Sequence, residues 1–207
     1  MQDPWRIEDE AQLREVLGEA HPATSAKIAD RLDEVARDFI AHSPLILVAT
    51  SDDGGQMDVS PKGDAPGFVV MEDDRTLLIP ERPGNRMALG FTNLLRHPAI
   101  SLIFLLPGVR ETLRVSGTAE ITRDPELLER LAAQEKAALL VTRVRIEECF
   151  LHCGKALIRS RLWQPDQWGP APDVSFGRQL RAKRVELSVT PEEVDAGIER
   201  DYVDRLY

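Results

Sequence analysis

The sequence predicts a mainly β protein with helices before, between and after the strands, arranged as a closed or partly closed antiparallel barrel. Three observations carry this. Between Leu45 and His152, apolar residues gather in short β-rich runs or alternate at period two, as strands do. Most of the connections between runs are hairpin-length, which favours antiparallel pairing, because parallel crossovers need a dozen or more residues. On either side of this stretch the apolar residues recur at three- and four-residue steps, the period of a helix.

The first 40 residues read as helix: Leu13, Val16 and Leu17 form one stripe, and Ile28, Leu32, Val35, Phe39 and Ile40 a second, with Pro22 at its first turn. From Leu45 come LILVATS, a DDGGQ turn and MDVSP, then GFVVME, a DDR turn and TLLIP. Asp-Asp-Gly-Gly between apolar runs is a hairpin signal, since glycine supplies the positive φ that tight turns require. Asn85 to Arg96 carry Met87, Leu89, Leu94 and Leu95 among polar positions and stop at His97-Pro98, predicting a helix after a Pro-Gly break.

Two long strands follow. AISLIFLL is apolar nearly throughout; in ETLRVSGTAEIT, Leu113, Val115, Ala119 and Ile121 face one way and Thr112, Arg114, Ser116 and Thr118 the other. Asp124 is placed to cap a helix of about nine residues that begins at Pro125. ALLVTRVRIEECFLHC returns to strand, and GKALIRSRLW fits either a strand end or a short helix. After a loop-rich WQPDQWGPAPDVS, two closing helices are expected around Gly177–Glu186 and Pro191–Arg205, the latter capped by Thr190 with Glu192 and Glu193 at its positive end.

At 207 residues the chain is expected to form a single domain. Within it, 1–42 form a helical N-terminal extension, 43–163 the barrel, and 164–207 a C-terminal loop and helices. A net charge of −9 repels phosphate polymers and anionic lipid, which argues against general nucleic-acid or membrane-surface binding. Any anionic ligand must meet a local basic cluster. The longest apolar runs, 44–49 and 100–107, fall far short of the roughly 20 residues of a spanning helix. The acidic, amphipathic N-terminus is unlike a signal peptide, so a cytoplasmic protein is expected. The Cys149-x-x-x-Cys153 spacing is not that of a redox pair, and both are expected to be buried or half-buried thiols in a reducing compartment. His152 with the two cysteines lacks a visible fourth ligand for zinc.

Familiar catalytic motifs are missing: there is no Gly-rich nucleotide loop, no His-Glu-x-x-His and no Gly-x-Ser-x-Gly. What stands out is the placement of positive charge. Lys62 in SPKGD, Arg82 and Arg86 in ERPGNR, and Lys155, Arg159 and Arg161 in GKALIRSRLW lie at strand ends or beside Gly and Pro. Each alone reads equally as a surface ion pair. Together the three segments favour a compact phosphate site, with arginine forks, backbone amides near a helix start at Asn85 and Arg86, and the Ser60 hydroxyl beside Lys62.

In this order, MDVSPKGD, GFVV, RTLLIPERPGNR, NLLRHPAISLIFLLPG, ETLRVSGTAEI and FLHCGKALIRSRLW resemble the FMN-binding split-barrel proteins related to pyridoxamine 5′-phosphate oxidase, over roughly residues 40–165. The resemblance is closest to a bacterial subgroup carrying the SPKGD, RPGNR and HCxKALxRSxLW segments. It implies FMN as cofactor and a homodimer with FMN at the subunit interface. Lys62 matches the basic residue that approaches the FMN phosphate, and Leu78, Ile79 and Pro80 match the strand that runs along the flavin. Asn85 and Arg86 match the helix start at the phosphate, Asn93 a later contact, and Thr112 the polar side chain that the second subunit presents to the ring.

Lys155, Arg159 and Arg161 are further candidates for the phosphate, and Trp163 for a wall over the flavin or, equally, a tryptophan closing the barrel. Arg114, Arg159 and Arg161 are the candidates for charge beside the reduced ring, Arg114 otherwise serving in a structural ion pair. Two departures matter. The Arg-x-His element with which the true oxidase grips its substrate phosphate is missing, and so is the Ser-Arg-Lys run at the turn. The resemblance therefore implies an FMN-dependent oxidoreductase acting on a small organic substrate or a nicotinamide donor rather than vitamin B6 oxidation. A non-catalytic flavin- or haem-binding protein and an oxidoreductase using the deazaflavin F420 are the alternatives.

Overall fold

The computed structural model describes residue 3 and residues 5–207. Seven strands form one sheet: β1 (Leu45–Ser51), β2 (Met57–Gly63), β3 (Val70–Met71), β4 (Thr76–Pro80), β5 (Ala99–Leu105), β6 (Thr112–Thr122) and β7 (Val141–His152). Every pairing is antiparallel, and the order is β2-β1-β5-β6-β7-β4-β3. The expected antiparallel split barrel with added helices is the architecture found. Its two edge strands, β2 and β3, do not pair with each other. The sheet instead curls until side chains bridge the seam. Lys62 on β2 meets Glu81 just after β4 at 2.6 Å, and Arg82 meets Asp64 at 2.8 Å.

The alternation read in the sequence is what fills the barrel. Ile46 and Val48 of β1, Ile100, Leu102 and Phe104 of β5, Leu113 and Val115 of β6 and Val144 and Ile146 of β7 are buried together, while their neighbours face outward. Strand β4 is buried along its whole length, since Leu77 and Ile79 enter the barrel and Leu78 packs with Leu127, Leu131, Ala138 and Val141 in a second cluster. That cluster is built on helix α5 (Pro125–Arg130), whose first turn Asp124 caps as expected, in six residues rather than nine.

The β6–β7 ladder contains a bulge between Ser116 and Gly117. There the backbones come so close that a Cβ on Gly117 would lie 1.9 Å from the Arg145 carbonyl oxygen. Only glycine allows this approach.

The first 40 residues are helical only in part. Helix α1 (Glu10–Leu17) and α2 (Pro22–Ala26) form, with Pro22 in the first turn of α2, but α2 stops before Ile28. The chain from Lys27 to Asp33 is not helical, and Ala29 exchanges both main-chain hydrogen bonds with Cys149. The reason is tertiary: β4 pairs with β7 only as far as Arg145, and Ala29 satisfies the β7 backbone beyond that point. Helix α3 (Glu34–His42) starts afresh where the Asp33 carboxylate accepts from the Ala36 amide at 2.7 Å, and it buries Ala36, Phe39 and Ile40 in the barrel core.

The helix expected from Asn85 begins four residues later, as α4 (Leu89–Arg96). Arg86 and Ala88 hold left-handed backbones, φ 60° and 54°, which no helix accommodates. GKALIRSRLW resolves into helix α6 (Lys155–Ser160). Helices α7 (Phe176–Ala182) and α8 (Pro191–Asp204) close the chain as expected, with a full capping box between Thr190 and Glu193. They pack on each other, joined where Ser175 donates to the Asp195 carboxylate and Gly177 lies against Pro191. No helix among the described residues is long and apolar enough to cross a membrane.

Candidate functional site

The open seam of the barrel is a cleft of about 690 Å³, a size typical of small-molecule and cofactor sites. One wall is β2 from Asp58 to Gly63; the opposite wall is the end of β4 and the loop 81–88, with α4 at one end. Sequence and topology explain its position. The edge strand β2 has no partner on its outer side, and the Pro-Gly-Asn-Arg loop after β4 cannot pair with it, so the two edges stand apart.

Ser60, Lys62, Ile79, Pro80, Asn85 and Arg86 all line this cleft. Arg82, from the same ERPGNR segment, lines it as well. Asn85 Oδ1 accepts from the Met87 amide at 3.0 Å and so shapes the loop that carries Arg86. Asn93 does not line the cleft: it is buried under α4 and donates to Thr50 Oγ1 at 3.2 Å, tying the helix to β1.

The remaining candidates lie elsewhere. Thr112 opens β6 opposite His152. Trp163 donates from Nε1 to the Val109 carbonyl at 2.7 Å, bracing the β5–β6 connection. Arg161 bonds Gln167, while Lys155 and Arg159 stand exposed on α6. Arg114 stacks on the Phe150 ring, its guanidinium carbon 5.2 Å from the ring centroid, rather than forming an ion pair. None of these five or Arg114 lines the cleft of its own chain.

Two acids that the sequence reading left unassigned, Glu81 and Asp64, pair with the bases of the cleft. Lys62 Nζ is bonded to Glu81 and sits 4.9 Å above the Phe91 ring. Arg82 donates from Nε to Asp64 Oδ2, and Asp64 Oδ1 accepts from the Ala65 amide and the Tyr207 hydroxyl, each at 2.8 Å. Burial alone would raise the Asp64 carboxyl; these donors and the Arg82 charge outweigh it and hold the group below its ordinary value. Most telling is Arg82 Nη1, which is buried without a hydrogen-bond partner among the described residues. Such an N–H is free to donate to an oxygen of a ligand or of water. The acids were legible in outline, because SPKGD and ERPGNR each set an acid beside a base.

Among the described residues no group of three or more His, Cys, Asp or Glu stands where it could hold a metal. Cys149 is buried as expected, which pushes its thiol up to about 12, but Cys153 is exposed, because it lies just past the end of β7.

Fold and site together define a split barrel with a cleft in its seam that Lys62, Arg82 and Arg86 line. Residues 32–153 match the family model of pyridoxamine 5′-phosphate oxidase, and the chain belongs to that family. No curated protein matches it in sequence. Among solved structures, HupZ of Group A Streptococcus is 22% identical over 58% of this chain and 93% of its own, with a TM-score of 0.48. A Lactobacillus delbrueckii protein that carries the pyridoxamine 5′-phosphate oxidase name is 25% identical over 59% and 95%, also at 0.48. An FMN-binding protein of Syntrophomonas wolfei is 12% identical over 56% and 86%, at 0.41. These likenesses assign no ligand to this chain.

Proposed function

We propose that this chain binds FMN in the seam cleft and works as a flavin-dependent oxidoreductase on a small organic substrate or a nicotinamide donor. The observation that carries the reading is the gathering of Lys62, Arg82 and Arg86 around one cleft of an acidic protein, with Arg82 Nη1 buried and unpartnered. These residues fit the group. Three cations suit a phosphate dianion, and Arg82 lacks an acceptor that such an anion would supply. The apolar walls at Val48, Ile79, Pro80, Leu94 and Ile100 suit a flat aromatic ring.

When bound, FMN supplies hydride transfer, which is why no nucleophile or carboxylate pair is required. The chain's own residues do three things. Lys62, Arg82 and Arg86 hold the phosphate, while the Asn85 side chain keeps the Arg86 loop in its left-handed turn. Ile79 and Pro80 would line the ring, and Leu94 and Ile100 would keep water from it.

The reading includes a homodimer. Met57 and Val59 on β2 and Met87 and Leu89 at the opposite lip are more than half exposed, an apolar rim that a second copy would cover. Thr112, Lys155, Arg159, Arg161 and Trp163 would then be the residues offered to the partner's cleft.

The test is to purify the protein, record its visible spectrum and identify any released chromophore by chromatography. A flavin spectrum with FMN released, and FMN binding lost in Arg86→Ala, is expected. A colourless protein that takes up no added FMN overturns the reading. Bleaching by reduced nicotinamide, with reoxidation by an acceptor, then separates an enzyme from a carrier.

A further inference from the structure

Tyr207 lies beyond α8 and outside the family match, yet it is bonded to the rim of the cleft from two sides. Its hydroxyl donates to Asp64 Oδ1 at 2.8 Å, and its main-chain oxygen accepts from Lys136 Nζ. Both partners belong to segments that frame the cleft. Asp64 follows β2, and Lys136 precedes Leu139 and Leu140, cleft-lining residues whose backbones pair with Glu81. Asp64 is the sole acidic partner of Arg82 among the described residues, and its carboxylate is only 5% exposed.

We propose that Tyr207 is a positioning residue for the anion end of the cleft, acting through Asp64 on Arg82. Arg82 offers one edge to Asp64 through Nε and leaves Nη1 unpaired. A guanidinium is planar, so the orientation of the carboxylate at Nε sets the direction of the other nitrogens. Asp64 itself can rotate about its side-chain bonds. The Ala65 amide and the Tyr207 hydroxyl, both on Oδ1, stop that rotation and leave Oδ2 for Arg82. The α7–α8 pair is the arm that delivers Tyr207. This gives the C-terminal segment, for which the sequence offered no chemistry, a place in ligand binding. The inference rests on the flavin reading only for the identity of the anion.

The experiment compares wild type with Tyr207→Phe, which keeps the ring and removes only the hydroxyl, in the full chain. Apo-protein is titrated with FMN and with riboflavin, which shares the ring but lacks the phosphate. Inorganic pyrophosphate is titrated in parallel, by its effect on thermal unfolding. A loss of about fivefold in FMN affinity with riboflavin unchanged is expected, the size of one charge-assisted hydrogen bond partly replaced by water. In an Asp64→Asn background the same change should have no further effect. Unchanged FMN affinity, or equal losses for FMN and riboflavin, overturns the proposal and makes Tyr207 a mere anchor of the arm. If wild type binds no FMN, the flavin reading fails and pyrophosphate decides: weaker binding in Tyr207→Phe upholds the positioning role, while equal binding or none overturns it.

Discussion

Glu81 holds Lys62 in the same cleft where an anion is proposed to bind, so neutralising it should separate ligand affinity from stability. Lys62 Nζ lies 2.6 Å from Glu81 Oε2, and the two side chains are 21% and 19% exposed. An anion sharing that ammonium would stand roughly 5 Å from the carboxylate, where like charges repel by about 1 kcal/mol at an effective dielectric near that of water. Glu81→Gln removes this repulsion and keeps the shape. FMN, or pyrophosphate in its place, should bind about fivefold more tightly, the free-energy equivalent of that repulsion. The gain should shrink as salt is added. Without ligand the same variant should be less stable by about 1 kcal/mol, because a half-buried ion pair is lost. Isothermal titration across a salt series and urea unfolding read the two effects. Weaker anion binding in Glu81→Gln would refute the idea that Lys62 serves the ligand, and show that the pair is a structural clasp of the seam.

Three further outcomes are expected. Gly117→Ala should cost about 3 kcal/mol or more in urea unfolding, since its Cβ meets main chain at the bulge and no rotamer relieves the contact; a loss under about 1 kcal/mol, the ordinary strand propensity range, would count against the bulge geometry. Native protein treated with iodoacetamide should be labelled at Cys153 and spared at Cys149, whose burial raises its thiol to about 12, with both labelled in denaturant; early labelling of Cys149 would contradict its place under Ala29. The Asp64 carboxyl titrates below its unfolded value of 3.8, so its contribution to stability is present above that pH and lost as pH falls through the folded value. Acid unfolding should therefore be less steep in Asp64→Asn below about pH 4; an unchanged slope would mean that Arg82 and Tyr207 do not hold the carboxylate.

Periodicity made the strands and their antiparallel pairing legible, because a strand that lines a barrel must alternate and a buried β4 must be apolar throughout. Caps were legible for the same local reason: Asp124 and Thr190 hold helix starts with atoms two or three residues away. The stretch from Ile28 to Leu32 misled, since its apolar spacing is helical while its backbone is needed by β7. Asn85 and Arg86 misled in the opposite direction. They reach the cleft as expected, but from a left-handed loop whose conformation no residue-type preference announces.

By itself the sequence determined which residues face the barrel interior, where the chain turns, and that three short segments set basic residues at strand ends or beside Gly and Pro. The tertiary structure decided which of those segments share a cleft. Lys62 and Arg82 meet there because the sheet curls until its unpaired edges face each other, and each then takes an acid from across the seam. Lys155, Arg159 and Arg161 belong to a segment that the same closure leaves outside their own chain's cleft. Tyr207 arrives 143 residues after its partner Asp64. Contacts of that separation depend on how the whole sheet closes, and no local pattern of residues encodes them.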